Sequence, residues 1–172
     1  MRETGKITVI TGNGKGKTTS AIGIMMQAAA KGKKVYFGQF MKDGEYSEIK
    51  MLRDAFPSIV IDQYAGKFVL KRAAKDDDHA RAQYGIERAT EALESNDYDL
   101  VVLDEINIVL FLETVTLEQV MGLIDIRGSA DLVLTGRYAD PAVIERADEA
   151  IEILQIKHYF NEGVPARVGI EM

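Results

Sequence analysis

The stretch "ITGNGKGKTTSAIG", residues 10–23, limits the fold more than any other part of the chain. An apolar run ends at Thr11, glycines follow at positions 12, 14 and 16, and a helix-like segment begins at Lys17. A strand that runs through a glycine-rich turn into a helix is suited to phosphate. Glycine lets backbone N–H groups turn inward and approach phosphate oxygens, and a helix N-terminus adds a field that favours anions. Lys17 would supply a point charge to the phosphates, and Thr18 a hydroxyl to a magnesium ion. The agreement with the common loop G-x-x-x-x-G-K-[ST] fails at one place, because its first glycine falls on Thr11. The dinucleotide pattern G-x-G-x-x-G also fails, since Lys17 stands where its third glycine would be.

The rest of the chain supports an α/β arrangement. Short apolar runs at 7–11, 35–40, 59–64, 100–104, 132–135 and 150–156 are rich in Val, Ile and Leu, as parallel strands covered on both faces are. Helix-like segments at 17–31, 46–55, 77–94, 117–126 and 141–147 alternate with them. Asp140 before Pro141 reads as an N-cap, and Thr116 with Gln119 as a capping box. Asp76, Asp77 and Asp78 put negative charge at the start of the long third helix. No repeat or linker interrupts the alternation, so residues 1–172 read as one domain with a mainly parallel β-sheet and helices on both faces.

Composition excludes several functions. The net charge of −6 argues against non-specific binding to nucleic acid. There is no cysteine, which removes disulfides, thiolate catalysis and cysteine-rich metal sites. The N-terminus lacks the apolar stretch of a signal peptide, and no window approaches the roughly 20 apolar residues of a membrane span. A cytoplasmic protein is the expectation.

A nucleotide site built on such a loop needs a carboxylate on the metal side, at the end of a buried strand. "DLVVLDEIN", residues 99–107, ends an apolar run in Asp104 and Glu105, and either could hold magnesium directly or through water. "LTGRYADP", residues 134–141, ends another run in glycine and arginine. Ligands of open α/β sheets sit at such strand ends, which makes Arg137 a candidate for the phosphate tail; a surface arginine before a helix cap is the other reading. His79 reads as a solvated helix residue. His158 lies in the tail "KHYFNEGVPARVGIE", residues 157–171, whose aromatic, basic and turn residues are unlike a fraying terminus.

Taken in order, "TGNGKGKTTSAIG", "VYFGQFMK", "DLVVLDEIN", "LTGR" and the tail resemble the P-loop-type ATP:corrinoid adenosyltransferases, over nearly the whole chain. The non-glycine at the first loop position is that family's own form. The resemblance implies a P-loop NTPase (RecA-like) fold and transfer of the 5′-deoxyadenosyl group of ATP to a reduced corrinoid. It implies ATP held in reverse, with C5′ exposed to Co(I) and triphosphate as leaving group. By position, Gly12, Asn13, Gly14, Lys15, Gly16, Lys17, Thr18 and Thr19 would contact phosphates. Thr18 and Glu105, with Asp104, would hold Mg2+ or Mn2+, and Arg137 would meet the leaving group. An electron donor such as a reduced flavoprotein and a homodimer are implied as partners.

The family commonly carries an aromatic F-T-W segment as an apolar wall over the corrinoid. The aligned stretch here is "GKFVLKR", residues 66–72, and the chain has no tryptophan. Phe68 and Leu70 are therefore expected to supply the wall, with a core role for both as the alternative. Two rival functions share the loop: a nucleotide-dependent phosphotransferase and an ATP-gated binding module. The first would need an arginine cluster around a phosphoryl acceptor, and only scattered arginines at 53, 72, 81 and 88 offer one.

Overall fold

The computed structural model describes residues 4–42, 44, 46–64, 76–157, 159 and 163. Along the chain run β1 (Ile7–Thr11), α1 (Lys17–Ala30), β2 (Val35–Gln39), α2 (Ser47–Ala55), β3 (Ile59–Gln63) and α3 (Asp76–Glu94). They are followed by β4 (Leu100–Asp104), α4 (Ile106–Phe111), α5 (Leu117–Ile126), β5 (Asp131–Thr135), α6 (Pro141–Arg146) and β6 (Glu149–Glu152). The strands form one sheet in the order β3-β2-β4-β5-β1-β6, and every pairing is parallel.

The near-continuous apolar strands are explained by two cores, one on each face. Ile10, Val35, Phe37, Val102 and Val133 pack with Ala21 and Met25 of α1 and Ile49 and Leu52 of α2. Their strand neighbours Val9, Tyr36, Val101, Leu103, Leu132 and Leu134 point the other way, toward Leu93 of α3, Val109 of α4, Leu123 of α5 and Val143 of α6. A strand side chain alternates between faces, so a strand buried on both must be apolar at every position. The local caps form as expected. Thr116 and Gln119 make a reciprocal capping box, and the Asp140 side chain accepts from Ala142 N–H at 2.8 Å.

Two elements depart from the sequence expectation. The helix α4 was not anticipated, because "INIVLF" is buried on all sides over its first five residues and shows no polar face from which a helical period can be read. The last strand was expected at 150–156 but pairs only over Glu149–Glu152, and all four residues are exposed at the sheet edge. Beyond it Ile153 still donates its N–H to Thr11 at 2.9 Å, and the chain then packs along the glycine loop.

The strand order positions the site. β5 lies between the loop strand β1 and the acidic strand β4. Register sets Thr135 beside Ile10 and Gln39 beside Asp104, so the loop, both acids and two uncharged polar side chains meet at the carboxyl edge of the sheet.

Candidate active site

Gly16 caps α1 with φ 117° and no side-chain acceptor, which leaves the first N–H groups of the helix directed at the loop. Lys17 is 8% exposed and its ammonium donates to the carbonyls of Gly12 and Gly14, both at 2.8 Å. Burial pulls its pKa below the ordinary lysine value, and the carboxylate of Glu105 opposes that shift. The first two glycines have a second reason to be glycine. A Cβ on Gly12 would lie 2.4 Å from the Ile153 carbonyl oxygen, and one on Gly14 2.7 Å from the same atom. Thr11 also has a use for its side chain, since Oγ1 accepts from Ala139 N–H at 3.2 Å and ties the loop strand to the turn after β5.

The acidic end is denser. Asp104 is wholly buried and accepts from four side chains: Thr18 at 2.9 Å, Thr135 at 2.6 Å, Gln39 at 2.9 Å and Lys42 at 3.1 Å. Burial alone would raise its pKa, but the Lys42 ammonium and these hydrogen bonds outweigh it and hold the carboxyl below the usual range. Glu105 is the opposite case: burial, then the neighbouring Asp104 carboxylate, push its pKa up. Its backbone is left-handed at φ 64°, an uncommon conformation for a residue with a side chain, and its N–H donates to Thr135 Oγ1 at 3.1 Å. Thr135 thus joins the two acids.

Lys42 sits where this oxygen set converges. Its Nζ is 3.0 Å from Thr18 Oγ1, 3.1 Å from Asp104 Oδ2 and 3.8 Å from Glu105 Oε1. A hydroxyl and two carboxylates are donors that a hard divalent cation takes, with water and phosphate oxygens completing its shell. Among the described residues no group of three or more His, Asp and Glu gathers as an all-protein metal cage. The residues present therefore fit an ion that arrives with phosphate, and an ammonium already neutralises them.

The expected residues converge well. Asn13, Gly14, Lys15, Gly16, Lys17, Thr18 and Thr19 border a cavity of about 850 Å³, which Glu105 and Arg137 also line. Gly12 underlies its floor through the bond to Lys17. The cavity continues over Ile22 and Met26 of α1 and Met51 of α2, within the size range of small-molecule sites. Arg137 is exposed, follows Gly136 at φ 131°, and has no hydrogen bond among the described residues. His79 lies exposed on α3, as expected. Tyr159 of the tail accepts from Lys15 Nζ at 3.2 Å, which brings part of that motif to the loop. Phe68, Leu70 and His158 lie outside the described residues.

Sequence reasoning assigned no role to Gln39, Lys42 or Thr135. The available signal was a polar residue at the end of each apolar run. What was missing was the strand order that turns those ends into neighbours.

Comparison with known proteins agrees over the whole length. The family described as ATP:corrinoid adenosyltransferase BtuR/CobO/CobP matches residues 3–172. A corrinoid adenosyltransferase of Pseudomonas aeruginosa is 36% identical over 171 residues, covering 98% of this chain and 84% of the relative. One of Escherichia coli K12 is 32% identical over 170 residues, covering 98% and 86%. Corrinoid adenosyltransferase CobA of Salmonella typhimurium is 31% identical over 172 residues, covering 99% and 87%.

Proposed function

Because the chain belongs to the ATP:corrinoid adenosyltransferase family BtuR/CobO/CobP, we propose that it moves the 5′-deoxyadenosyl group of ATP to the cobalt of a reduced corrinoid and releases triphosphate. The electron pair of Co(I) forms the bond to C5′, the C5′–O bond breaks, and its pair leaves on the triphosphate. The corrinoid is the nucleophile, so no side chain has to be one. The protein's work is to position ATP and to neutralise charge on the departing group.

The observation that carries this reading is the meeting of loop and acidic strand, with Thr18 Oγ1 2.9 Å from Asp104, in a chain that matches the family from end to end. Residues Gly12 to Thr19 would cradle the triphosphate. Lys17 uses two of its three N–H donors on loop carbonyls, which leaves one for a phosphate oxygen. Arg137, exposed at the end of β5, would neutralise the leaving group. Thr18, Asp104 and Glu105 would hold Mg2+ or Mn2+. Such an ion supplies charge neutralisation on phosphate oxygens. Lys42, which now covers these oxygens, would give them up to such an ion and leave its charge for the triphosphate.

Family resemblance further suggests a homodimer in the cytoplasm, served by an electron donor such as a reduced flavoprotein. Among the described residues no helix is long and apolar enough to cross a membrane. The test is product analysis with purified protein, ATP, magnesium and chemically reduced cobalamin. Adenosylated corrinoid and intact triphosphate should appear in step. ADP with a phosphorylated acceptor would instead indicate phosphotransfer, and no product at all would indicate a binding module.

A further inference from the structure

Gln63, Gln39, Asp104 and Thr135 are the last residues of β3, β2, β4 and β5, four neighbouring strands. Gln39 pairs in register with Gln63 on one side and with Asp104 on the other. The row two residues earlier on the same face is Ile61, Phe37, Val102 and Val133, and it packs under α1 and α2. A polar row therefore follows directly on an apolar one, and Gln39, Asp104 and Thr135 within it are wholly buried.

The row is bonded from end to end. A carboxylate can only accept, so Gln39 must turn its Nε2 toward Asp104, and it donates there at 2.9 Å. Gln39 Oε1 then faces outward, where Gln63 Nε2 donates to it at 2.8 Å. The same Gln63 nitrogen donates to the Gly44 carbonyl at 3.2 Å, which uses its second N–H. At the inner end Thr135 donates to Asp104 Oδ1 at 2.6 Å and accepts the Glu105 N–H at 3.1 Å. Each direction follows from the one before it. Turning either amide over would set two acceptors face to face, one of them buried.

We infer that Gln39 and Gln63 are positioning residues, an amide relay that fixes the rotation of the Asp104 carboxylate for the metal. This rests on the proposed metal site of Thr18, Asp104 and Glu105. Asp104 Oδ1 accepts from Thr135 and Thr18, whereas Oδ2 accepts from Gln39 and from the Lys42 ammonium. Lys42 is the partner that a cation replaces. With the ammonium displaced, the Gln39 bond would keep Oδ2 turned to the place that Lys42 had held. Gln63 acts one step further out: it holds Gln39, and the Gly44 carbonyl holds Gln63. Groups that orient a metal ligand in this way commonly contribute about ten- to hundredfold to metal affinity.

The test is calorimetric titration of ATP, without corrinoid, in magnesium and in EDTA; the ratio of the two affinities is the gain that the metal supplies. Gln39→Met keeps the volume and removes the amide bonds. It should cut that gain by about tenfold, and Gln63→Met, one step removed, by about threefold, with ATP affinity in EDTA within about twofold of the parent in both. Because Gln63 acts through Gln39, the double variant should lose no more than Gln39→Met alone. Asp104 keeps Thr18, Thr135 and Lys42 in Gln39→Met, so that variant should fold, and the half-buried Gln63 gives a second readout if it does not. A magnesium gain unchanged in Gln63→Met, or losses that simply add in the double variant, would overturn the relay and leave the metal site standing. A parent protein that binds ATP equally well in magnesium and in EDTA would remove the metal site and the relay together.

Discussion

Lys42 Nζ lies 3.1 Å from Asp104 Oδ2, so an ammonium neutralises a carboxylate that is wholly buried. A buried carboxylate without a partner is expensive, and Asp104 has its countercharge built into the chain. The same ammonium covers the oxygens that a divalent ion would need.

Replacing it therefore has a direct consequence. Lys42→Met should raise the affinity of the protein for Mn2+ in the absence of ATP by about tenfold or more, because a competing unit charge is removed at contact distance. Free Mn2+ measured by electron paramagnetic resonance is the readout. Asp104 keeps donors in Thr18, Gln39 and Thr135, so the variant should fold. An affinity equal to that of the parent would mean that Lys42 does not compete with metal.

Lys17→Ala should weaken ATP binding and turnover together. A charge-assisted hydrogen bond contributes on the order of 1.5–3 kcal/mol, so catalytic efficiency should fall by about tenfold or more. Calorimetric titration with ATP and initial rates of adenosylation check both halves. Unchanged ATP affinity would remove Lys17 from the phosphate site.

The loop glycines should separate by cause. Gly12→Ala meets the Ile153 carbonyl at 2.4 Å and keeps a φ of 96°, whereas Gly16→Ala has open space and carries only the cost of its positive φ. Urea unfolding should show Gly12→Ala destabilised by roughly 2–4 kcal/mol and Gly16→Ala by roughly 1–2 kcal/mol. Equal losses would mean that the segment after β6 moves aside without cost.

Asp148 provides a pH test away from the site. Its carboxylate accepts from Ile7 N–H at 2.9 Å and from Lys6 Nζ at 2.9 Å, and these bonds, the first above all, hold its pKa below the ordinary value. A depressed folded-state pKa means that stability is present above the unfolded value, about 3.9, and is lost as pH falls through the folded one. Asp148→Asn should be less stable than the parent at pH 6, and the gap between the two denaturation curves should close as pH falls through the depressed value of the Asp148 carboxyl. A stability gap that stays constant down to pH 2 would assign the loss to packing, not to ionisation.

Part of this protein is determined by spacing along the chain. The apolar runs, the loop, the acidic strand end and the caps at Thr116 and Asp140 are set by residues close to one another along the chain, and apart from the last strand, which pairs over Glu149–Glu152 and not over 150–156, they appear in the structure where the sequence puts them. α4 escaped because a helix buried on every side has no amphipathic period. The contacts that make a site were decided by tertiary structure. Thr18 and Asp104 are 86 positions apart, and Asp104 and Thr135 are 31 apart. They touch because β5 enters between β1 and β4, an order that no local pattern specifies. Lys42 reaches the acids for the same reason, since β2 lies beside β4 and its last residue pairs with Asp104. Hydrophobic periodicity reports which side of an element faces inward, but it is the same for every order of buried strands. The order is chosen by the packing of the whole sheet, and with it the neighbours of every residue at the sheet's carboxyl edge.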